Sequence, residues 1–200
     1  ASYERAVLSQ MDHIVVFTQR DRAATAQLVP GVPISTVPFG ISLPELPFDP
    51  AGREPNTLLF FGNYVHSPNV RAALRLARDI FPRILAQQPS ARLEIIGPNV
   101  PGEIAALSGG PVSVKGFVED LRPHLEHAAV VVAPLDTGGG MRVKIAEALA
   151  AGKAVLTSRR AVEGLAVTGG EQVALAETDE EFASAALYLL AHPAERSRLG

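Results

Sequence analysis

An α/β fold on an open parallel sheet is what this sequence predicts, on three observations. From residue 57 onward short apolar runs alternate regularly with segments of helical spacing, the pattern of strands buried on both faces and joined through helices. Glycines 62, 97, 116 and 139 fall beyond the carboxyl ends of those runs, where open α/β sheets bind ligands. The chain has 200 residues, 47% of them apolar, and a net charge of -3, enough for a well-packed domain of this class. The architecture expected is Rossmann-like, with helices on both faces of the sheet.

The first elements differ from the rest. Asp12–Phe17 reads as a strand, Arg20–Leu28 as a helix and Ile34–Val37 as another short strand. Pro38-Phe39-Gly40 then opens a loop carrying Pro44, Pro47, Pro50 and Pro55, residues that lack an N–H donor and resist regular pairing. A boundary or hinge is expected within residues 38–56, giving a first segment 1–40, a linker 41–56 and a domain 57–200.

In that domain the strand candidates are Thr57–Phe61, Arg92–Ile96, Val112–Val114, Ala129–Ala133, Ala154–Thr157 and, on a weaker pattern, Gln172–Leu175. Helices are predicted at Val70–Gln87, Gly102–Leu107, Asp120–His127, Met141–Ala151 and Asp179–Ala191. Asp179 before Glu180 and Glu181 reads as an N-cap with acidic first-turn residues, and Gly152 as a C-terminal stop. Ala194–Gly200 reads as a helix interrupted or just ending, and with Ala1 in first place the chain reads as an excised fragment.

Composition narrows the function. Nothing is basic enough for a nucleic-acid surface, and the absence of cysteine removes disulfides and thiolate metal sites and fits a reducing compartment. No signal peptide or bilayer-length apolar run is visible, nor any internal repeat. His13, His124, His127 and His192 lack the paired spacing of a metal site, and no serine elbow or cysteine–histidine pair occurs. Asp136 stands alone before Thr137, and Glu177-Thr-Asp179 reads as a helix entrance.

The segment with most chemical content is Ala133–Thr157, where Gly138, Gly139 and Gly140 precede Met141, Arg142, Lys144 and Glu147. Glycines let backbone N–H groups approach a ligand, and the unsatisfied N–H groups and dipole of a helix start favour an anion. Cations there oppose the dipole by about 0.3–1 kcal/mol each, a sign that a bound diphosphate reverses. The competing reading is a tight turn followed by an ordinary i,i+3 pair of Lys144 and Glu147 on a surface helix.

Four phrases then occur in one order: Phe61-Gly62-Asn63 with Ser67-Pro68-Asn69-Val70; Ile95-Ile96-Gly97; Val114-Lys115-Gly116-Phe117-Val118; and Arg142 through Val155, with Glu147-Ala-Leu-Ala-Ala-Gly-Lys-Ala-Val inside it. Together they resemble the C-terminal, donor-binding domain of retaining GT-B glycosyltransferases of the group 1 family (glycosyltransferase family 4). Asp12-His-Ile-Val-Val-Phe-Thr and Val37-Pro-Phe-Gly-Ile are similar to the last strand of that family's acceptor domain and the crossover out of it.

The resemblance implies an enzyme that transfers a hexose-type sugar, with retention and without a metal or other cofactor, from a UDP- or GDP-sugar to a glycan or lipid-linked acceptor. Gly62, Asn63, Gly97, Phe117, Val118, Gly138, Gly139, Gly140, Met141, Arg142 and Glu147 are the implied donor-binding residues, and Arg142 and Lys144 the implied catalytic cations. Glu147 matches the second of two family glutamates, the one on the ribose, whereas Gly139 replaces the first, the one beside the sugar. The family's Arg and Lys after the first strand are replaced here by Asn63-Tyr64-Val65-His66-Ser67; Arg142 and Lys144 either substitute for them or face solvent. His66 reads as solvated or as a donor to phosphate, Tyr64 as stacking or packing near the same loop, and Phe117 and Val118 as base contacts or core.

The implied acceptor site lies on an N-terminal domain outside this chain, so the chain alone is expected not to transfer sugar. The implied place is the cytoplasm, peripheral to the inner membrane face for a polysaccharide-building enzyme. The alternative function is a non-catalytic nucleotide-sugar-binding or interaction domain of the same fold, with a sugar-nucleotide epimerase-like domain a more distant one.

Overall fold

The computed structural model describes residues 2–38, 40–41, 48–49, 51–137 and 143–200. The chain divides into two compact units, Ala1–Ile41 and Ser42–Gly200. The first holds α1 (Ser2–Leu8), β1 (Ile14–Val16), α2 (Gln19–Leu28) and β2 (Ile34–Thr36). Here β1 and β2 pair in parallel, with Ile14 opposite Ile34, and α2 makes the crossover. Thr18 caps α2 by accepting the Asp21 N–H at 3.0 Å. The helix α1 was not anticipated; it buries no residue.

The second unit is a six-stranded, wholly parallel sheet surrounded by helices. In chain order it runs β3 (Thr57–Phe61), α3 (Ser67–Arg75), a π-helical turn (Leu76–Ile80), α4 (Phe81–Gln87), β4 (Arg92–Ile96), α5 (Gly102–Ala105), β5 (Val112–Lys115), α6 (Arg122–His127) and β6 (Val130–Ala133). It continues with α7 (Val143–Ala150), β7 (Val155–Thr157), a 3₁₀ turn (Arg159–Val162), β8 (Ala174–Leu175), α8 (Asp179–Ala191) and α9 (Pro193–Leu199). The spatial order is β5-β4-β3-β6-β7-β8. Sequence order therefore reverses between β3 and β6, and that reversal opens a crevice at the strands' carboxyl ends. With right-handed crossovers, connections running in opposite directions along the sheet lie on opposite faces.

Burial explains why these runs form strands. All of Leu58, Leu59, Phe60, Val130, Val131, Val132, Val155 and Leu156 are buried, so β3, β6 and β7 read as continuous apolar runs rather than alternating ones. The edge strand β5 alternates, as one half-covered face requires.

Three local readings need correction. The helix expected over Val70–Gln87 begins at Ser67, with Pro68 in its first turn, and is broken by the π-helical turn. Pro82 has no N–H and its ring crowds the carbonyl of Arg78; the ladder widens, and Phe81 N–H bonds the Leu76 carbonyl five residues back. The N-cap of α8 is Thr178, not Asp179: its hydroxyl accepts the Glu181 N–H at 3.2 Å while the Glu181 carboxylate reaches back to the Thr178 N–H, a complete capping box. Asp179 sits inside the first turn and binds Arg75 at 2.6 Å instead. Strand β8 keeps only two residues of Gln172–Leu175, because Gly170 turns the chain back to bond the Val173 carbonyl. Met141 and Arg142, expected to open α7, lie outside the described residues.

Gly152 does stop α7, at φ 71°. Its N–H bonds the Leu149 carbonyl and Lys153 N–H the Ala148 carbonyl, the paired pattern that closes a helix through a left-handed residue. Lys153 is thereby turned inward, fully buried, with Nζ donating to the Asp49 carbonyl at 2.8 Å. Burial is the main cause that lowers its pKa from 10.5 to about 8; Asp49 opposes the shift and Arg196 adds to it. The native state thus releases this proton before the unfolded chain does, so between about pH 8 and 10.5 the unfolded chain binds more protons and stability rises with pH. Urea midpoints between pH 7.5 and 10 are expected to climb in the parent, and this lysine's share of the climb to vanish in Lys153→Met.

Candidate functional site

The crevice between β3 and β6 is built first from backbone. Gly97 ends β4 at φ 148°, and its Cα passes so close to the neighbouring chain that an added Cβ would lie 1.8 Å from the Gly62 carbonyl oxygen. Gly62 N–H bonds the Ile96 carbonyl at 3.0 Å, and Tyr64 N–H bonds the Pro98 carbonyl at 3.1 Å. The exits of β3 and β4 are thus laced together. Tyr64 is buried beneath them, its hydroxyl donating to the Ile96 carbonyl at 3.2 Å, and burial pushes its pKa well up. Its role is packing.

Asn63 organises the loop above. Its Oδ1 accepts the Val65 N–H and the Asn99 Nδ2 hydrogen, each at 3.0 Å, and Asn99 takes the unusual φ of 61° to reach it. Asn69, in the first turn of α3, donates Nδ2 to the Asn63 carbonyl at 2.7 Å and accepts from Lys144 Nζ at 2.5 Å. Lys144 reaches across from α7 and lies 4.7 Å from the centre of the Phe60 ring. A Cβ on Gly62 would fall 2.7 Å from Nζ, so the ammonium occupies room that glycine leaves. Gly62, Asn63, Gly97 and Lys144 therefore come together in one place.

The other expected residues fall as follows. Glu147 is exposed on α7. Phe117, read as base contact or core, is 72% exposed and does not belong to the core, whereas Val118 packs against it. Exposed His66 stands at the N-cap of α3 without a side-chain capping bond. Gly138, Gly139, Gly140, Met141 and Arg142 lie outside the described residues. Asp136 pairs with Arg71 at 3.7 Å between exposed side chains, and Glu177 accepts the Arg159 N–H at 2.9 Å at the α8 entrance. Among the described residues no group of three His, Asp or Glu could hold a metal ion, and no helix is long and apolar enough to cross a membrane.

Sequence reading assigned no role to Asn69, Asn99, Arg75, Thr157 or Ser158. The last three hold the exit of β6: Thr157 Oγ1 donates to the Ala133 carbonyl at 2.8 Å, Arg75 Nη1 reaches the Pro134 carbonyl at 3.5 Å, and Ser158 Oγ donates to the Leu135 carbonyl. The usable signal was polar residues at the ends of apolar runs, where side chains serve backbone carbonyls that the sheet no longer pairs.

A family model described as glycosyl transferases group 1 matches residues 55–192. Comparison with curated proteins gives no match. Among solved structures, a mutant of TarM from S. aureus in complex with fondaparinux, alpha-GlcNAc-glycerol and UDP is similar, with TM-score 0.78 at 15% identity over 99% of this chain and 41% of that one. Sucrose-phosphate synthase from Thermosynechococcus elongatus gives TM-score 0.76 at 22% identity over 99% of this chain and 54% of that one. The pneumococcal O-GlcNAc transferase GtfA in complex with UDP and GlcNAc gives 0.73 at 17% identity, over 98% and 41%. The likeness concerns the fold, the Rossmann-like half of GT-B glycosyltransferases, and the chain spans between two fifths and just over half of these proteins.

Proposed function

The chain belongs to the group 1 glycosyl transferases, and from that membership we propose that it is the donor-binding half of a retaining enzyme of glycosyltransferase family 4. It binds a UDP- or GDP-sugar in the β3–β6 crevice and works with an acceptor-binding domain of which residues 1–40 are the end, 41–56 being the linker. The observation that carries the reading is the Lys144 ammonium held against Gly62 at the point where strand order reverses, a cation where an open α/β sheet receives its ligand.

In this reading Lys144, with Arg142 and the N–H groups of the glycine-rich helix start, stabilises the negative charge that grows on the leaving diphosphate as the sugar–phosphate bond breaks. No metal is needed for that step. Glu147 accepts both ribose hydroxyl hydrogens, since an ionised carboxylate is acceptor only. The acceptor is a glycan or a lipid-linked sugar, and the whole protein works in the cytoplasm, peripheral to the inner membrane face. Gly139, at the place of the family's first glutamate, supports a second reading, a nucleotide-sugar-binding module without turnover.

Lys144→Ala is expected to weaken UDP or GDP by about tenfold or more and to leave uridine or guanosine nearly unchanged, because charge-assisted hydrogen bonds contribute roughly 1.5–3 kcal/mol and the nucleoside lacks the charge. Glu147→Ala is expected to weaken both. Calorimetric titration separates the two, and unaltered affinities in both variants would return these residues to a solvated helix face.

A further inference from the structure

We propose that Asn69 is the positioning residue that holds the Lys144 ammonium at the head of β3 without cancelling its charge; the inference rests on the donor-site reading above. The Asn69 backbone N–H bonds the His66 carbonyl at 2.9 Å, so its place in the first turn of α3 is fixed. Its Nδ2 donates to the Asn63 carbonyl at 2.7 Å. That bond settles the orientation of the amide: a carbonyl oxygen accepts only from nitrogen, so the atom turned toward Lys144 is the oxygen, and it accepts from Nζ at 2.5 Å.

The choice of a neutral acceptor matters. A carboxylate in this position would set an oxygen against the Asn63 carbonyl with no hydrogen between them, and its charge would neutralise the lysine. The amide orients the ammonium and leaves its charge to act on an anion. Phe60 works the same way, since the ring face 4.7 Å away attracts a cation without carrying charge. Gly62 makes the arrangement possible: a Cβ there would lie 2.7 Å from Lys144 Nζ and 3.0 Å from Asn69 Nδ2. Asn69, Phe60 and the side chain that Gly62 lacks thus help to place a cation at the crevice where the family's Arg and Lys after the first strand are replaced.

The test titrates the full chain with UDP and GDP, and with uridine and guanosine, by calorimetry. Asn69→Asp is expected to lose roughly tenfold or more in affinity for whichever diphosphate the parent binds, and less than about twofold for the matching nucleoside. Asn69→Leu supplies a neutral control that cannot hold the ammonium: it is expected to weaken the diphosphate in the parent but to add no loss on top of Lys144→Met, as residues acting through one another are non-additive. Should Asn69→Asp fail to fold, as a thermal melt reveals, the Asn69→Leu and Lys144→Met cycle carries the test. Diphosphate affinity unchanged in both Asn69 variants, or an Asn69→Leu loss that persists undiminished in Lys144→Met, overturns the proposal while leaving the donor site standing. A parent that binds neither UDP nor GDP overturns the donor reading itself, and this inference with it.

Discussion

Replacing Gly97 by alanine is expected to lower stability by about 2–6 kcal/mol, combining the roughly 1–3 kcal/mol of a backbone region that L-residues avoid with a similar cost of overpacking. The new Cβ would meet the Gly62 carbonyl oxygen at 1.8 Å, its carbon at 2.8 Å and Tyr64 Cε2 at 3.2 Å. The first two are main-chain atoms of a buried strand exit and cannot swing aside. The strands must part, and the crevice with them. For a chain of this size each kcal/mol moves the melting midpoint by about 2–4 °C, so a drop on the order of 10 °C is the expected reading. Gly116→Ala is the control: a Cβ there meets nothing within 4 Å, and the midpoint should hold. A Gly97→Ala protein that melts with the parent would show that β3 and β4 tolerate separation.

The second large effect is expected from Arg196→Met. Arg196 is 1% exposed. Its Nε donates to the Ala51 carbonyl at 2.9 Å, and its Nη1 donates to the carbonyls of Leu189 at 2.6 Å and Leu190 at 2.9 Å. The last two belong to the final turn of α8, where the helix leaves carbonyls without partners and favours a cation. Methionine keeps much of the volume but supplies no donor. The Leu189 carbonyl keeps the His192 N–H, but the Ala51 and Leu190 carbonyls lose this donor, and buried acceptors left unsatisfied cost about 1–3 kcal/mol each, so a loss of roughly 3 kcal/mol or more is expected in urea unfolding. Hydrogen exchange gives the local readout: Arg53 and Glu54 N–H groups, bonded to the carbonyls of Glu126 and His127, should lose protection as the Ala51 tie is cut. Arg196→Lys should restore only part, since a compact ammonium cannot reproduce the planar fork.

How much of this was legible beforehand follows from the kind of signal each feature carries. Strands β3, β6 and β7 were readable because continuous runs such as Leu58-Leu-Phe-Phe61 have one use in a chain of this composition. The pairing order was not, since periodicity says nothing about which strand lies beside which. The π-helical turn was missed although Pro82 was visible, because a helix periodic on both sides of a proline reads as uninterrupted. Thr178 and Asp179 are both good caps, and only Arg75, 104 positions earlier in sequence, decides between them by claiming the aspartate. Lys153 and Arg196 were invisible as interior residues, for cations are rarely buried unless paired; here backbone carbonyls serve them. At the site, Gly62, Gly97 and Lys144 could be named from sequence, but their convergence could not, and Asn69 stood unassigned inside a phrase already singled out.

The strand order has a consequence for how the sheet is made. β3 is the first strand of the larger unit to leave the ribosome, yet it ends up third in a row of six. It can pair with β4 and β4 with β5 while β6 is unmade; β6, β7 and β8 then extend the edge left open, beginning with Val130 and Val131 alongside Leu58 and Leu59. No late strand has to wedge between two that are already joined, so biosynthetic order and sheet growth agree. The cost is a three-stranded intermediate whose open edge is β3, a strand buried along its whole length in the finished sheet, and such an unpaired edge is where nascent chains stick to one another. The time needed to translate residues 62–129 is the time for which that edge needs shelter.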